Sequence, residues 1–282
     1  MQNTSRSFDF SRTISDSISR FQGWLLIAWI FSNSLLAHAA SITMVASRDN
    51  SMYSDNPANS NGGGALFIGR NGGGGTRRTL LRFDVASVIP TGSHIDSVEL
   101  HLNVSRVSFG QPLPASLHRV SADWGEAASN AGLRSGAGAA ALIGDSTWTH
   151  RFFSTIPWAT PGGDFLPNPS ATNLIGSGAN TLASTAGLVA DVQSWLNFPS
   201  SNFGWILRGD ESEAGTARRI DSRELASPAL RPMIVVQYSE TTSTSSDVPI
   251  PPWVAMLTAP LMLLVVLKSQ RLIRNPVGPD RS

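Results

Sequence analysis

Two loop-rich stretches, residues 147–153 and 157–165, place large aromatic side chains next to charged ones. Flat aromatic rings stack on the apolar faces of pyranose sugars, and arginine and carboxylate groups hydrogen-bond the hydroxyl groups at the sugar edge. The pattern predicts a surface that binds polysaccharide, since aromatic side chains exposed on loops often mark binding sites. The alternative is that the rings form a satellite core beneath a long loop. The predicted ligand-binding residues are Trp148, Arg151, Trp158, Asp164 and Phe165.

Residues 49–61 form a second candidate site, because they are rich in carboxylate and amide side chains. Calcium prefers about six to eight oxygen ligands from such side chains and from backbone carbonyl groups. We expect a structural calcium site with Asp49, Asp55 and Asn61 as side-chain ligands, and no other cofactor. The alternative is a cluster of polar turns held together by its own side-chain hydrogen bonds.

No set of residues predicts an enzyme. Cysteine is absent, which excludes thiol catalysis and cysteine-based metal sites. Asp123 and Glu126 are close in sequence, as are three carboxylates within residues 210–213, but nothing indicates that any pair faces across a cleft as acid and base must. We therefore interpret them as solvated loop charges and expect no catalytic residues.

The charge of the central segment argues against nucleic acid as a partner. Residues 41–252 contain 14 arginines and 17 acidic residues, a net charge of −3, without any basic block. Proteins that bind nucleic acid neutralise phosphate groups with clustered positive charge. We expect polysaccharide or a surface matrix as the partner instead.

A short apolar segment, Trp24 to Leu36, follows Arg20 and precedes a run of small residues. A basic flank, a short apolar core and small residues at the end are typical of a secretory signal peptide. We expect residues 1–40 to be a signal peptide that is cleaved after Ala39 or Ala40. An N-terminal membrane anchor is the alternative. Export agrees with the absence of cysteine in a protein stabilised by packing alone.

A second apolar segment, Trp253 to Leu267, is shorter than the roughly 20 residues that cross a bilayer comfortably. A proline-rich motif precedes it and a basic cluster follows, and such charge stays on the cytoplasmic side of a membrane. This order resembles the sorting tails that exosortase-type transpeptidases recognise, the PEP-CTERM class, although the motif lacks Pro-Glu-Pro. The resemblance implies a sorting transpeptidase as partner; a plain membrane anchor is the alternative. The implied sorting-signal residues are Pro249, Pro251, Trp253, Lys268, Arg271 and Arg274.

Alternation of apolar and polar residues predicts short strands between the two ends, most clearly at Val98–Val104. A single amphipathic helix is predicted over residues 188–196, with Ser184 or Thr185 as N-cap and Pro199 beyond its end. Long polar connections are expected at residues 56–64, 71–76, 125–147 and 160–181. We predict an all-β fold, an antiparallel β-sandwich of the jelly-roll type with one short helix. The other predicted strands cover residues 42–46, 79–85, 117–120, 203–207 and 234–238.

The predicted domain organisation has four parts. A signal peptide covers residues 1–40, and the β domain covers residues 41–239. Residues 240–247 are rich in Ser and Thr and indicate a flexible stalk. Residues 248–282 form the sorting or transmembrane tail.

Short motifs follow one another between about residue 42 and residue 238: Thr76–Val85, Ile89–Gly92, the Val98–Val104 strand, Ser116–Val120, Asp123–Glu126, Val189–Trp195, Phe203–Trp205, Asp221–Glu224 and Arg231–Pro232. In this order they resemble the DNRLRE family, which is akin to jelly-roll carbohydrate-binding modules. Each motif is short, and their shared order carries the resemblance. It implies a noncatalytic, exported surface or matrix protein that binds polysaccharide, which in some relatives is acidic or plant-derived. A structural or adhesive protein without a glycan ligand and a polysaccharide-degrading enzyme are the alternatives.

Overall fold

The computed structural model describes residues 38–132 and 136–240. Most of the predicted signal peptide, nearly all of the predicted stalk and the whole sorting tail lie outside the described residues. No helix within the described ranges has the length and apolar character that a membrane span requires.

Every strand pairing in the described residues is antiparallel, so the predicted all-β, antiparallel fold is confirmed. In chain order the strands are β1 (His38–Val45), β2 (Arg48–Tyr53), β3 (Asn59–Ser60), β4 (Leu66–Arg70), β5 (Thr76–Arg82), β6 (His94–Val107), β7 (Leu113–Arg119), β8 (Ala139–Ala140), β9 (His150–Phe152), β10 (Ile156–Pro157), β11 (Ala171–Ile175), β12 (Gly178–Leu182), β13 (Trp205–Arg208), β14 (Arg218–Ile220) and β15 (Met233–Glu240). The helix α1 spans Ala186–Asn197, and 3-10 turns cover Val85–Ser87, Pro199–Ser201 and Pro228–Leu230.

Nine strands follow one another in a single curled sheet, in the order β1-β15-β6-β14-β4-β5-β13-β7-β11. Two more strands attach to it, since β12 pairs with β6 and β2 pairs with β5. The strand β4 joins the two halves: Leu66–Ile68 pair with β14, and Gly69–Arg70 pair with β5. Gly69 lies where β4 changes its pairing partner and has φ +84°, a conformation that favours glycine. A Cβ at this position would also lie only 2.8 Å from the Thr216 carbonyl oxygen, which is too close for any other residue.

The curl encloses one main hydrophobic core. Strand β6 contributes four side chains in alternation, Val98, Leu100, Leu102 and Val104, none more than 3% exposed. The opposite half of the sheet contributes residues of β5, β7 and β13 to the same core. The alternation predicted for 98–104 is thus confirmed, because one face of an antiparallel strand is buried.

Strand β5 separates this core from a smaller one. Leu81 belongs to the main core, whereas its neighbour Leu80 belongs to a satellite core on the other face of the strand. Successive side chains of a strand point to opposite faces, so both faces of β5 are covered. The satellite core consists of Met52, Leu80, Val120, Trp124, Trp158 and Ile206.

One predicted strand face is wrong. The alternation at Phe203, Trp205 and Leu207 predicts a shared face, but Phe203 packs against the satellite core and the other two lie in the main core. The physical reason is Gly204, whose φ of +73° breaks the extended conformation before β13 begins at Trp205.

The prediction of a polar connection over residues 160–181 is also wrong in part. Strand β11 pairs with β7, and strand β12 pairs with β6. Only Ala171 and Ile175 of β11 are buried, so the strand has no apolar alternation to detect. Backbone pairing to neighbouring strands, which leaves no periodic signature in the side chains, forms these strands.

Strand β1 pairs with β15 along its whole length, from His38 opposite Glu240 to Val45 opposite Met233. The predicted cleavage after Ala39 or Ala40 falls inside this strand. The product would keep Ala40–Val45 or Ser41–Val45 for pairing, so most of the ladder would remain.

The helix α1 is confirmed, with Thr185 as its N-cap. The Thr185 hydroxyl oxygen accepts a hydrogen bond from the backbone N–H of Leu188 at 3.1 Å. Leu188, Val192, Trp195 and Leu196 face the main core. The helix therefore covers part of the core, and a short element of this kind depends on both its cap and its packing.

We expect Thr185→Ala to lower the free energy of unfolding by about 1 kcal/mol, because an unsatisfied N–H is left in the first turn. Urea denaturation checks this. Thr185→Ser keeps the hydroxyl group and serves as the control, so an equal loss in both variants would contradict a capping role.

Candidate functional site

Around the satellite core, the structure brings together three of the five predicted ligand-binding residues and assigns different roles to the rest. Trp148 and Phe165 are half-buried and pack against this core, and Asp164 directly precedes Phe165. Phe165 also contacts the ring of buried His118, with centroids 5.1 Å apart. The two aromatic side chains thus have their inner sides fixed by packing and reach the surface with the remainder.

Trp158 is a core residue and is only 4% exposed. Its indole N–H donates a hydrogen bond to the Thr147 carbonyl oxygen at 2.9 Å. A buried indole with a satisfied N–H has no face left for a sugar. Trp158 is therefore part of the satellite core, as the alternative interpretation expects, and the prediction that it binds ligand is wrong.

Arg151 lies in β9 and contacts other partners. Its guanidinium donates to the Asp123 carbonyl oxygen at 3.0 Å and lies 5.6 Å from the centroid of the Phe152 ring. Asp164 holds its own loop, since its carboxylate accepts hydrogen bonds from the backbone N–H groups of Ala159 and Thr160 at 2.9 and 2.8 Å. Both side chains thus have structural partners.

An arginine that the sequence did not single out is the centre of the site. The guanidinium of Arg78 lies 4.9 Å from the centroid of the Trp148 ring and 5.6 Å from that of Phe165. It also donates to the Gly162 carbonyl oxygen at 2.9 Å. Such cation–π contacts hold the guanidinium plane in place.

A second arginine stands beside the first. Arg208 of β13 lies opposite Arg78 of β5 in the strand register, and its guanidinium is 5.4 Å from the Phe165 ring. Like charges opposite one another on a sheet repel. Glu211 offsets this repulsion, because its two carboxylate oxygens accept hydrogen bonds from both guanidinium groups at 2.7 to 3.2 Å.

Glu211 was interpreted from the sequence as a solvated loop charge, and this is wrong. Burial alone would raise the pKa of Glu211, but the hydrogen bonds from Arg78 and Arg208 outweigh it and hold the pKa at about 2. The carboxylate is therefore ionised and fixed across the physiological range. It stabilises the arginine pair and is unsuited to act as a general acid.

This shifted pKa makes stability depend on pH in a defined direction. The folded-state pKa lies below the ordinary value of 4.5, so the stabilisation is present above pH 4.5 and disappears as the pH falls toward 2. We expect wild type to lose on the order of 2 kcal/mol more than Glu211→Gln between pH 6 and pH 2.5, after discounting for solvent screening. Urea unfolding at the two pH values measures the difference, and equal losses would contradict the role given to Glu211.

An open cleft of about 650 Å³ begins at these residues. The Arg78 guanidinium, the Asp164 carboxylate and the partly exposed Phe165 ring line it, which is the mixture that orients a polar ligand over an apolar surface. We call this group the arginine–aromatic cleft. It is lined by Arg78, Ser121, Ala122, Ala159, Thr160, Pro161, Gly163, Asp164 and Phe165, with Trp148 against Arg78.

The alternation of side chains along β5 is the sequence pattern that could have indicated Arg78 as a site residue. Because side chains two apart share a strand face, Arg78 lies on the face of Leu80, beneath the loops that carry Trp148 and Phe165. The predicted strand began at Thr79, three residues after the start of β5, and left Arg78 outside. The sequence could not place Arg208 and Glu211 in the site, because their contacts with Arg78 depend on the register between β5 and β13.

The predicted calcium ligands do not converge on one centre. Asp55 forms an ion pair with Arg77 at 3.1 Å and accepts a hydrogen bond from Asn71. The Asn61 side-chain oxygen accepts from the backbone N–H of Ala131 at 2.7 Å. For Asp55 and Asn61, the alternative of side chains engaged in their own hydrogen bonds is the one that the structure supports.

Asp49 lies in strand β2, not in a loop, and belongs to a different set of carboxylates. It forms an acidic cluster with Glu126 and Glu224, in which one oxygen of each side chain lies within 4.8 Å of the others. Arg223 donates to Glu126 at 2.6 Å and forms an ion pair with Glu224 at 2.9 Å, and its backbone N–H donates to Asp49 at 2.7 Å.

The cluster is electrostatically costly. Burial raises the pKa of Glu126 to about 7, against the lowering effect of Arg223. Burial, assisted by the charge of Glu224, also raises the pKa of Asp49 well above its ordinary range. Buried carboxylates need a compensating charge, because desolvation disfavours the ionised form.

No family model matches the chain. No curated protein matches it either.

Proposed function

We propose that the protein is an exported, noncatalytic surface or matrix protein whose β domain binds polysaccharide. One observation carries the proposal: Arg78 lies against two aromatic rings, Trp148 and Phe165, at an open cleft. An aromatic surface beside hydrogen-bond donors suits a sugar chain, whose pyranose faces are apolar and whose edges carry hydroxyl groups.

The cleft offers a sugar chain hydrogen-bond donors and acceptors without a net charge. Arg78 and Arg208 carry two positive charges, and Glu211 and Asp164 carry two negative charges, so their sum is zero. Glu211 occupies the paired N–H groups of both arginines, and the N–H groups of Arg78 that are not used by Glu211 and Gly162 can donate to sugar hydroxyl groups. Asp164 at the cleft is already engaged by two backbone N–H groups, so it competes little for the arginines.

We also propose a jelly-roll topology for the domain and export from the cytoplasm. We infer that the curled sheet corresponds to a β-sandwich of the jelly-roll type, because strands from its two halves share the main core. The resemblance to the DNRLRE family supports this topology. The proposed export rests on the apolar segments and their flanks, with the signal peptide ending at Ala39 or Ala40 and the sorting tail at residues 248–282.

A glycan screen of the purified protein tests the proposal. The screen contains polygalacturonate and alginate as uronic-acid polymers, and xylan and a β-glucan as neutral polymers. We expect retention by at least one polymer and no release of reducing ends. Self-association without retention would favour the structural or adhesive alternative, and release of reducing ends would establish an enzyme.

A further inference from the structure

Asp49 carries a buried oxygen that no hydrogen bond satisfies. The residue is 0% exposed, and within the described ranges no donor reaches its Oδ1 atom. Its other oxygen, Oδ2, accepts the backbone N–H of Arg223 at 2.7 Å. Leaving a buried polar oxygen without a partner is expensive, and an absent cation is one physical explanation for such an atom.

We propose that Asp49, Glu126 and Glu224 bind one calcium ion. Two oxygens that each lie about 2.3 to 2.6 Å from a common calcium ion are separated by no more than about 5 Å. The three carboxylates meet this condition, with oxygens within 4.8 Å of one another. Neighbouring backbone carbonyl groups and water would complete the coordination, as at other calcium sites.

Charge balance supports the same assignment. The cluster holds three carboxylates and one guanidinium, Arg223, so it carries a charge of −2 when all groups are ionised. A single divalent cation neutralises it. Arg223 donates to Oε1 of Glu126 and is ion-paired with Oε1 of Glu224, so it crosslinks them and holds them in position.

The ligand types select calcium among the divalent ions. The cluster offers only carboxylate oxygens, which hard cations prefer over the nitrogen and sulfur ligands typical of zinc. Its three carboxylates come from separate segments and form an irregular set. Calcium tolerates irregular geometry, whereas magnesium demands a nearly ideal octahedron and retains its water molecules.

An ion could reach the cluster from solvent. The side chain of Glu126 is 5% exposed, but that of Glu224 is 29% exposed and lines a surface cleft with Ser222 and the glycines at 63 and 64. Glu224 therefore forms the outer side of the site, and Asp49 forms its inner end.

Calorimetry of the full chain, first stripped with a chelator, tests the site. Titration with calcium chloride should give a saturable heat with one ion per chain. At a concentration of about 100 times Kd, calcium should raise Tm by about 5 to 10 °C. Magnesium chloride at the same concentration should have a much smaller effect.

Glu224→Gln should abolish the calcium-induced rise in Tm without unfolding the chain, because its side chain is partly exposed and nearly isosteric. Glu224→Asp, which keeps the charge, should weaken the affinity. Asp55→Asn is the matched control and should keep the full response, since Asp55 pairs with Arg77 elsewhere. Absence of heat and of a Tm shift in wild type, or an undiminished response in Glu224→Gln, would overturn the proposal.

Discussion

Trp148→Ala should weaken binding to the polysaccharide that the protein retains in the glycan screen by about 10- to 100-fold, the usual cost of removing an aromatic anchor from a binding site. Trp148 provides a partly exposed ring and holds the Arg78 guanidinium, 4.9 Å from the ring centroid. Removing the ring therefore takes away the stacking surface and loosens the adjacent donor. Affinity electrophoresis in gels containing the polysaccharide measures the loss.

Phe198→Ala is the matched control for this variant. Phe198 is 65% exposed at the end of α1 and takes no part in the cleft. Its removal should leave retention unchanged. Equal affinities for wild type and Trp148→Ala, with both proteins folded, would show that the arginine–aromatic cleft is not the binding site.

Trp205→Ala should be among the most destabilising substitutions in the domain, with a loss of about 3 to 5 kcal/mol. Trp205 is fully buried, with its ring centroid 4.5 Å from that of Trp195 and 6.0 Å from that of Phe83. Its indole N–H donates to the Asp191 carboxylate at 2.7 Å. The substitution thus creates a cavity and removes a hydrogen bond from a buried charge.

Trp205→Phe separates these two effects. It retains most of the ring volume but lacks the N–H, so the expected loss is about 1 to 3 kcal/mol. Urea denaturation monitored by circular dichroism gives both values. A loss below about 1 kcal/mol for the alanine variant would mean that the main core is not organised around α1 and β13.

The sequence pattern predicts those elements whose burial is periodic. Strand β6 has one buried face and α1 has a single apolar side, so both leave a clear signature. Strands β11 and β12 were missed because backbone pairing forms them and few of their side chains are buried. Side-chain patterns report burial, so a strand with little buried surface escapes them.

The residues of the candidate sites could likewise be predicted only in part. Composition singles out Trp148 and Phe165 as ring-bearing residues, but it cannot show that Trp158 is buried or that Arg78 lies against the other two rings. Asp49 was predicted from the sequence as a calcium ligand, but Glu126, which lies beside it in the acidic cluster, is 77 positions away in the chain. Such partners are decided by how the sheet curls, which no local pattern contains.

Hydrogen–deuterium exchange of the full chain, with and without the retained polysaccharide, tests the central claim most directly. We predict slower exchange in peptides that cover residues 147–149 and 159–165, whose backbone surrounds the arginine–aromatic cleft. Peptides that cover residues 221–226, which carry Glu224 of the acidic cluster, should be unaffected. Protection confined to other surfaces, or none at all in the bound state, would contradict the assignment of the cleft as the polysaccharide-binding site.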